Sequence, residues 1–330
     1  MTTTNDDPVL DLSGAVKGSW HRFLDLYEPL RPELYRYCRH LTRSPWDADD
    51  LAQDTLARAF VTLGTIEGGA PTSPRAWLFR IASNLWIDRV RRQRELASEA
   101  DAASTTHDPR AQREAAGTLL SQLSPQERAA VVLKDVFDLT LEEIAEALST
   151  TVGAVKAALH GGRSRLADPT LHERARPLPP REVIDAFVDA FNAHDLDRVA
   201  ALLMERSTVE VDHVCTQYGR AAAREGVLTG MMFGSRRLAA ADVEGGIDPR
   251  FIQGARPTPP RVEARAHRGE WLLVHWYDHD DGEAVRAFTR LELDGDRIAR
   301  VRNYFYTPEV LEEIARELDV PFRLNGHRYW

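Results

Sequence analysis

Residues 124–166, SPQERAAVVLKDVFDLTLEEIAEALSTTVGAVKAALHGGRSRL, constrain the fold most, because two helix starts follow each other closely. Ser124, Pro125 and Glu127 fall at N-cap, N1 and N3, so hydroxyl and carboxylate satisfy reciprocal backbone amides while the proline has none to satisfy. Thr140 and Glu143 repeat the device. Ala129, Val132, Leu133 and Val136 recur at helical spacing after the first cap, as do Leu141, Ile144, Ala145 and Leu148 after the second. Ser149, Thr150 and Thr151 interrupt the pattern, and Val152, Val155 and Leu159 restart it. The stretch predicts a helix, a tight turn and a second helix, the arrangement that sets its last helix in a DNA major groove.

A chain of 330 residues exceeds one ordinary small domain, and two or three units are expected. No apolar run approaches a membrane span, and the start, MTTTNDDPVLDLSG, has neither the basic nor the apolar part of a signal peptide. The expectation is a cytoplasmic protein with no membrane partner. Cys38 and Cys215 stand far apart, which excludes a cysteine-rich zinc module and reads as two small core residues. The net charge of -9 argues against coating nucleic acid by bulk charge. Local charge differs: acids crowd residues 47–54, and arginines crowd residues 89–94.

Ahead of the opening stretch, helical stripes run through Leu30, Leu34, Cys38 and Leu41, and through Leu51, Thr55, Leu56, Ala59, Phe60 and Leu63. A further helix begins at Ser73 and Pro74 and runs into the arginines, so residues 14–96 read as a three-helix bundle. Residues 97–113 have the composition of a linker, and 114–167 complete the helix-turn-helix unit. The four prolines of residues 168–180 predict a semi-rigid spacer. Residues 181–330 then change character. One long amphipathic helix is expected through Val183, Phe187, Val188, Phe191, Leu196, Val199 and Leu203. Strand patterns follow in STVEVDHV, RVEARAH, EWLLVHWYD, EAVRAFTRLEL and RIARVRNYFY, with Asp294-Gly295 as a hairpin turn and a last helix after Thr307-Pro308. An α+β unit with a curved antiparallel sheet is predicted.

Two stretches, DADDLAQDTLARAF at 47–60 and SPRAWLFRIASNLWIDRVRRQR at 73–94, followed by the helix-turn-helix, resemble bacterial sigma-70 factors of the extracytoplasmic-function (ECF) type. The resemblance implies sigma region 2 at 14–96 and region 4 at 114–167, with core RNA polymerase and promoter DNA as partners. Asp47, Asp49, Asp50, Gln53 and Asp54 would meet the beta-prime clamp helices, and the helix-turn-helix would meet the beta flap. Asp49, Asp50, Gln53 and Asp54 are taken to lie opposite Leu51 and Leu56, free to steer docking. Arg89, Arg91, Arg92 and Arg94 suit phosphates, and Trp77, Phe79 and Trp86 offer faces to unpaired bases, core filling being the alternative for Trp77. Asn84 matches the position near a flipped minus-ten base, with a buried capping role as its alternative. On the last helix of the motif, Thr151, Lys156, His160, Arg163 and Arg165 are the candidates toward the minus-thirty-five element. The surrounding glycines and alanines leave few long side chains for base edges, so shape is expected to carry more of the readout.

VIDAFVDAFNAHDLDRVAALL gives the C-terminal half a resemblance to SnoaL-like domains, the cone-shaped α+β fold of polyketide cyclases and ketosteroid isomerases. In similar fused sigma factors this extension contacts the sigma domains and sets their activity. A regulatory, non-catalytic domain with an unidentified small ligand is the expectation, without cofactor or metal. The alternative is a cyclase-like or isomerase-like enzyme tethered to promoter DNA. Candidate pocket residues are Asp212, His213, His275, Arg286 and Tyr304, joined by Asp278 in a catalytic reading. His275 and Asp278 fall on opposite faces of one strand unless a bulge intervenes, and fold analogy alone confers no activity.

Overall fold

Prolines and short polar caps start the helices of the first unit, and alternation and hairpin turns build the sheet of the second. The computed structural model describes residues 8–64, 71–103, 123–166, 178, 181–233 and 259–327. It divides into two compact units, Met1–Ala175 and Arg176–Trp330.

In the first unit, α1 (Pro8–Tyr27) precedes the three helices expected from the sequence, α2 (Arg31–Thr42), α3 (Pro45–Leu63) and α4 (Pro74–Ala103). The Ser44 hydroxyl accepts from the Asp47 amide to cap α3, and Pro45 follows at N1. Leu34, Leu41, Leu51, Leu56 and Leu78 are fully buried between them. The last helix continues to Ala103, into the stretch expected to be linker, and residues 104–122 lie outside those described.

Among the described residues the helix-turn-helix unit contains α5 (Pro125–Asp135), α6 (Leu141–Ala147) and α7 (Val152–Leu166). Both capping boxes form: Ser124 and Thr140 accept from the amides of Glu127 and Glu143, whose carboxylates accept the cap amides at 2.9 and 2.7 Å. Ser149 takes a left-handed backbone at φ 49° and turns the chain, after which the Thr151 hydroxyl accepts from the Ala154 amide to start α7. Glycine in α7 has an internal cause. A Cβ on Gly162 would stand 2.9 Å from the Val131 side chain, so the residue lets α7 close on α5. The second linker, 168–180, lies outside the described residues apart from Leu178.

The single long helix expected at the start of the second unit is two, α8 (Glu182–Asn192) and α9 (Leu196–Ala201). His194 at φ 56° breaks the run, and the Asp195 carboxylate accepts from the Arg198 amide to restart it. Then come β1 (Leu203–Val211), β2 (Cys215–Tyr218), α10 (Arg220–Glu225), α11 (Val227–Phe233), β3 (Arg261–His267), β4 (Glu270–His279), β5 (Gly282–Asp294), β6 (Arg297–Tyr304) and α12 (Pro308–Glu317). The six strands lie in the order β2-β1-β6-β5-β4-β3. The sheet is not wholly antiparallel as expected, since β1 pairs with β6 in parallel. Gly295 at φ 60° closes the predicted β5–β6 hairpin, where Asp294 faces Arg297. Phe187, Phe191, Leu228, Met232, Val209, Leu273 and Val301 form the core between the helices and one sheet face. Burying each of these large side chains stabilises by about 1.5–3 kcal/mol. The edge strand β3 is covered: the Asn192 amide donates to the Val262 carbonyl and accepts from the Val262 amide, both at 2.8 Å.

Candidate polymerase and nucleic-acid interfaces

α3 presents Asp54 to solvent and leaves Asp47, Asp50 and Gln53 half-buried, whereas it turns Asp49 inward. Arg31 of α2 donates to Asp49 Oδ1 at 3.2 Å and to Gln53 Oε1 at 3.0 Å. The expectation that Asp49 stands free beside Asp50 is therefore corrected. Its position seven residues before Leu56 and three before Ala52 sets it on the apolar face, where burial is tolerable only with a partner charge. Cys38 lies in the same interior, and burial pushes its thiol up, leaving it unreactive.

On α4 the aromatic expectation is corrected in the same way. Trp77, Phe79 and Trp86 are all buried. Trp77 packs near Tyr27 at 5.9 Å between ring centroids, and Phe79 stacks on Tyr37 at 4.6 Å. Trp86 lies beneath the Arg128 guanidinium at 5.5 Å. Phe79, Ala82 and Trp86 are spaced by three and four residues, which makes them one buried stripe. Asn84 is exposed between them, so its alternative as a buried cap does not hold. Arg91 and Arg92 are also exposed, Arg91 meeting Asp88 at 2.9 Å. Arg89 instead pairs with Asp54 at 3.0 Å, joining a residue expected to face DNA to one expected to face polymerase. The side chain of Arg94 lies outside those described.

Thr151 is exposed at the start of α7, and Lys156, His160, Arg163 and Arg165 are exposed along it. Arg163 donates through Nε to Asp135 at 3.2 Å, and Arg165 pairs with Glu127, tying both cations to α5. Burial raises the Glu127 carboxyl, but hydrogen bonds from Ser124 and the Arg165 charge outweigh it and hold the group below its ordinary value. The Thr140 amide and hydroxyl hold Glu143 low. An open cavity of 720 Å³ is lined by Lys134, Leu141, Lys156, Leu159, His160, Arg163 and Ser164. Lys134 is the member that sequence reasoning missed. Its ammonium caps the turn after α5, donating to the Leu139 carbonyl at 3.0 Å, and only the folded turn brings it beside α7.

The residues expected to line a pocket in the second unit are held by protein partners. Asp212 accepts from Arg302 at 2.7 Å, and His213, at φ 59° in the turn after β1, lies 3.5 Å from Asp212. Arg286 donates to Asn325 at 2.7 Å, and Tyr304 is fully buried beside Arg302, 5.5 Å from ring to guanidinium. His275 Nε2 meets Thr289 Oγ1 at 2.8 Å, and Asn303 donates to the same oxygen at 2.9 Å. Burial pushes the His275 imidazole down to about 3, so it is neutral at physiological pH. The irregularity in β4–β5 pairing falls between His275 and Trp276 but adds its residue, Arg286, to β5. His275 and Asp278 therefore keep opposite faces, His275 buried and Asp278 exposed. Thr289, Asn303 and Arg302, which complete these networks, carried no local sequence signal.

The first unit is all-helical, with a helix-turn-helix behind an acidic helix and an arginine-bearing helix. Residues 26–95 match sigma-70 region 2 and residues 113–166 match sigma-70 region 4. SigW of Bacillus subtilis, an ECF RNA polymerase sigma factor, is 30% identical over 169 residues, covering 46% of this chain and 89% of SigW. The chain belongs to the ECF RNA polymerase sigma factor family. SigG of Mycobacterium tuberculosis is 29% identical over 222 residues, and the match covers 56% of this chain and only 60% of SigG. The solved structure of Mycobacterium tuberculosis SigJ is 21% identical at a TM-score of 0.31, covering 86% of this chain and 96% of that one. Among the described residues no helix is long and apolar enough to cross a membrane.

Proposed function

We propose that this chain binds core RNA polymerase and directs promoter-specific initiation, with α3 on the beta-prime clamp helices and the helix-turn-helix toward the beta flap. Family membership supports the class of activity. One observation carries the DNA half: Lys134, Lys156, His160 and Arg163 line a single open cleft along α7, suited to phosphates. On α4, Asn84, Arg91 and Arg92 are the exposed groups that would meet the minus-ten element. Asp50 and Asp54 are the carboxylates offered to polymerase, with Asp47 in support. The second unit acts as a non-catalytic regulator by intramolecular contact, an unidentified small ligand being its second input. Support for that reading is that His275, Arg286 and Asp212 are already hydrogen-bonded to Thr289, Asn325 and Arg302.

Purified protein with core polymerase tests this. Asp50→Lys with Asp54→Lys weakens binding on this reading, and unchanged affinity counts against it. Ending the chain after residue 177 changes promoter-dependent transcription in one direction or the other; identical activity removes the regulatory role.

A further inference from the structure

The helix-turn-helix answers the cations around its cleft with carboxylates of its own. Arg163 of α7 grips Asp135, the last residue of α5, through two nitrogens, Nε at 3.2 Å from Oδ2 and Nη2 on Oδ1. Such a paired fork is also the geometry in which arginine holds a phosphate, so Asp135 occupies the place a phosphate would take. Arg165 meets Glu127 Oε2, the oxygen that also accepts the Ser124 amide at 2.9 Å. Gly161 leaves room for that carboxylate, since a Cβ there would stand 2.7 Å from Glu127 Oε1. Lys134, which also lines the cleft, meets Asp138 at 3.2 Å. Among the described residues, Lys156 is the one permanent cation of the cleft left without an ion pair.

Binding to a duplex of any sequence grows with the number of phosphates neutralised, each adding about 0.9 to the slope of log K against log salt. A guanidinium already neutralised by a fixed carboxylate adds nothing to that slope unless it first gives up its partner. Both arginines are exposed, so the hold on each is modest and the effect is a few-fold one. We propose that Asp135 and Glu127 are built-in counter-ions that withdraw Arg163 and Arg165 from phosphates, leaving the grip on arbitrary sequence to Lys156 and His160. Asp135 then sets how weakly the module holds DNA at large, and tight binding requires contacts that polymerase and the minus-ten reader supply. The proposal rests on the DNA half of the reading above and refines which cations of the cleft act on phosphate.

The test is the anisotropy of a labelled random-sequence duplex titrated with the full chain between about 50 and 200 mM salt. The α4 arginines contribute alike to every variant, so differences in slope are the readout. Asp135→Asn frees Arg163, steepens the slope by about 0.9 and tightens binding at the low-salt end about threefold. Adding Arg163→Gln restores the parent slope. Glu127→Gln keeps the capping box, because glutamine accepts the cap amide as glutamate does, and gives a similar increment through Arg165. Glu142→Gln removes a charge from an exposed site on α6 without freeing a cation, and leaves the slope as it was. Equal slopes for parent and Asp135→Asn, a gain that survives Arg163→Gln, or an equal gain from Glu142→Gln overturns the proposal. If parent and Asp135→Asn both fail to bind at low salt, the DNA reading itself is overturned and the proposal falls with it.

Discussion

The two units treat polar groups in opposite ways. In the first, most of the charged residues singled out by the sequence stay at the surface, on α3, α4 and α7, and Asp49 is the one drawn into an interior ion pair. In the second, Asp212, His275, Arg286 and Tyr304 are all buried and engaged with protein. Charge at a surface is available to a partner at little cost, whereas charge in an interior must be neutralised within the fold. The contrast separates a unit arranged for contact from one whose polar interior maintains its own shape.

Four substitutions break or sharpen that contrast. The largest effect is expected from Arg31→Met, which leaves the Asp49 carboxylate buried without its cation and costs about 3–5 kcal/mol in urea unfolding. Thr289→Val comes next, at about 1–3 kcal/mol, because His275 and Asn303 both lose their shared oxygen. Ser124→Ala removes one half of a capping box and costs about 1 kcal/mol. Asp54→Ala, on the same helix as Asp49 but exposed, changes unfolding by about 0.5 kcal/mol or less while weakening polymerase binding.

Acid separates the units by window. His275 sits at about 3 when folded against an ordinary 6.5, so below 6.5 the unfolded chain takes a proton that the native chain refuses. Stability of the second unit therefore falls as pH drops from 6.5 toward 3, and His275→Gln flattens that slope. Glu127 and Glu143 are held below an ordinary 4.5, so the helix-turn-helix keeps their contribution above 4.5 and loses it as pH falls through their folded values. Thermal unfolding across pH 3–7 is expected to move the second unit first.

What could be read from sequence was local. The capping boxes at Ser124 and Thr140 formed because each needs only four consecutive residues, and β3 to β6 formed where alternation and turn residues agree. The short strand CTQY and the helices RAAARE and VLTGMMF were not anticipated; none spans enough residues to show a period. Parallel pairing of β1 with β6 joins residues about 90 positions apart and has no local signature. At the candidate interfaces, charge type was legible and facing was less so. Asp49, Phe79 and Trp86 each sat at helical spacing from apolar neighbours, a signal that chemistry-first reading of acids and aromatics overrode.

The Asn192 side chain acts toward β3 as one rung of a missing neighbour. With both backbone groups of Val262 taken, an incoming strand finds its first pairing position occupied at the open edge of the sheet. For a chain made in quantity this amide is a solubility device: it discourages copies from joining edge to edge into fibres.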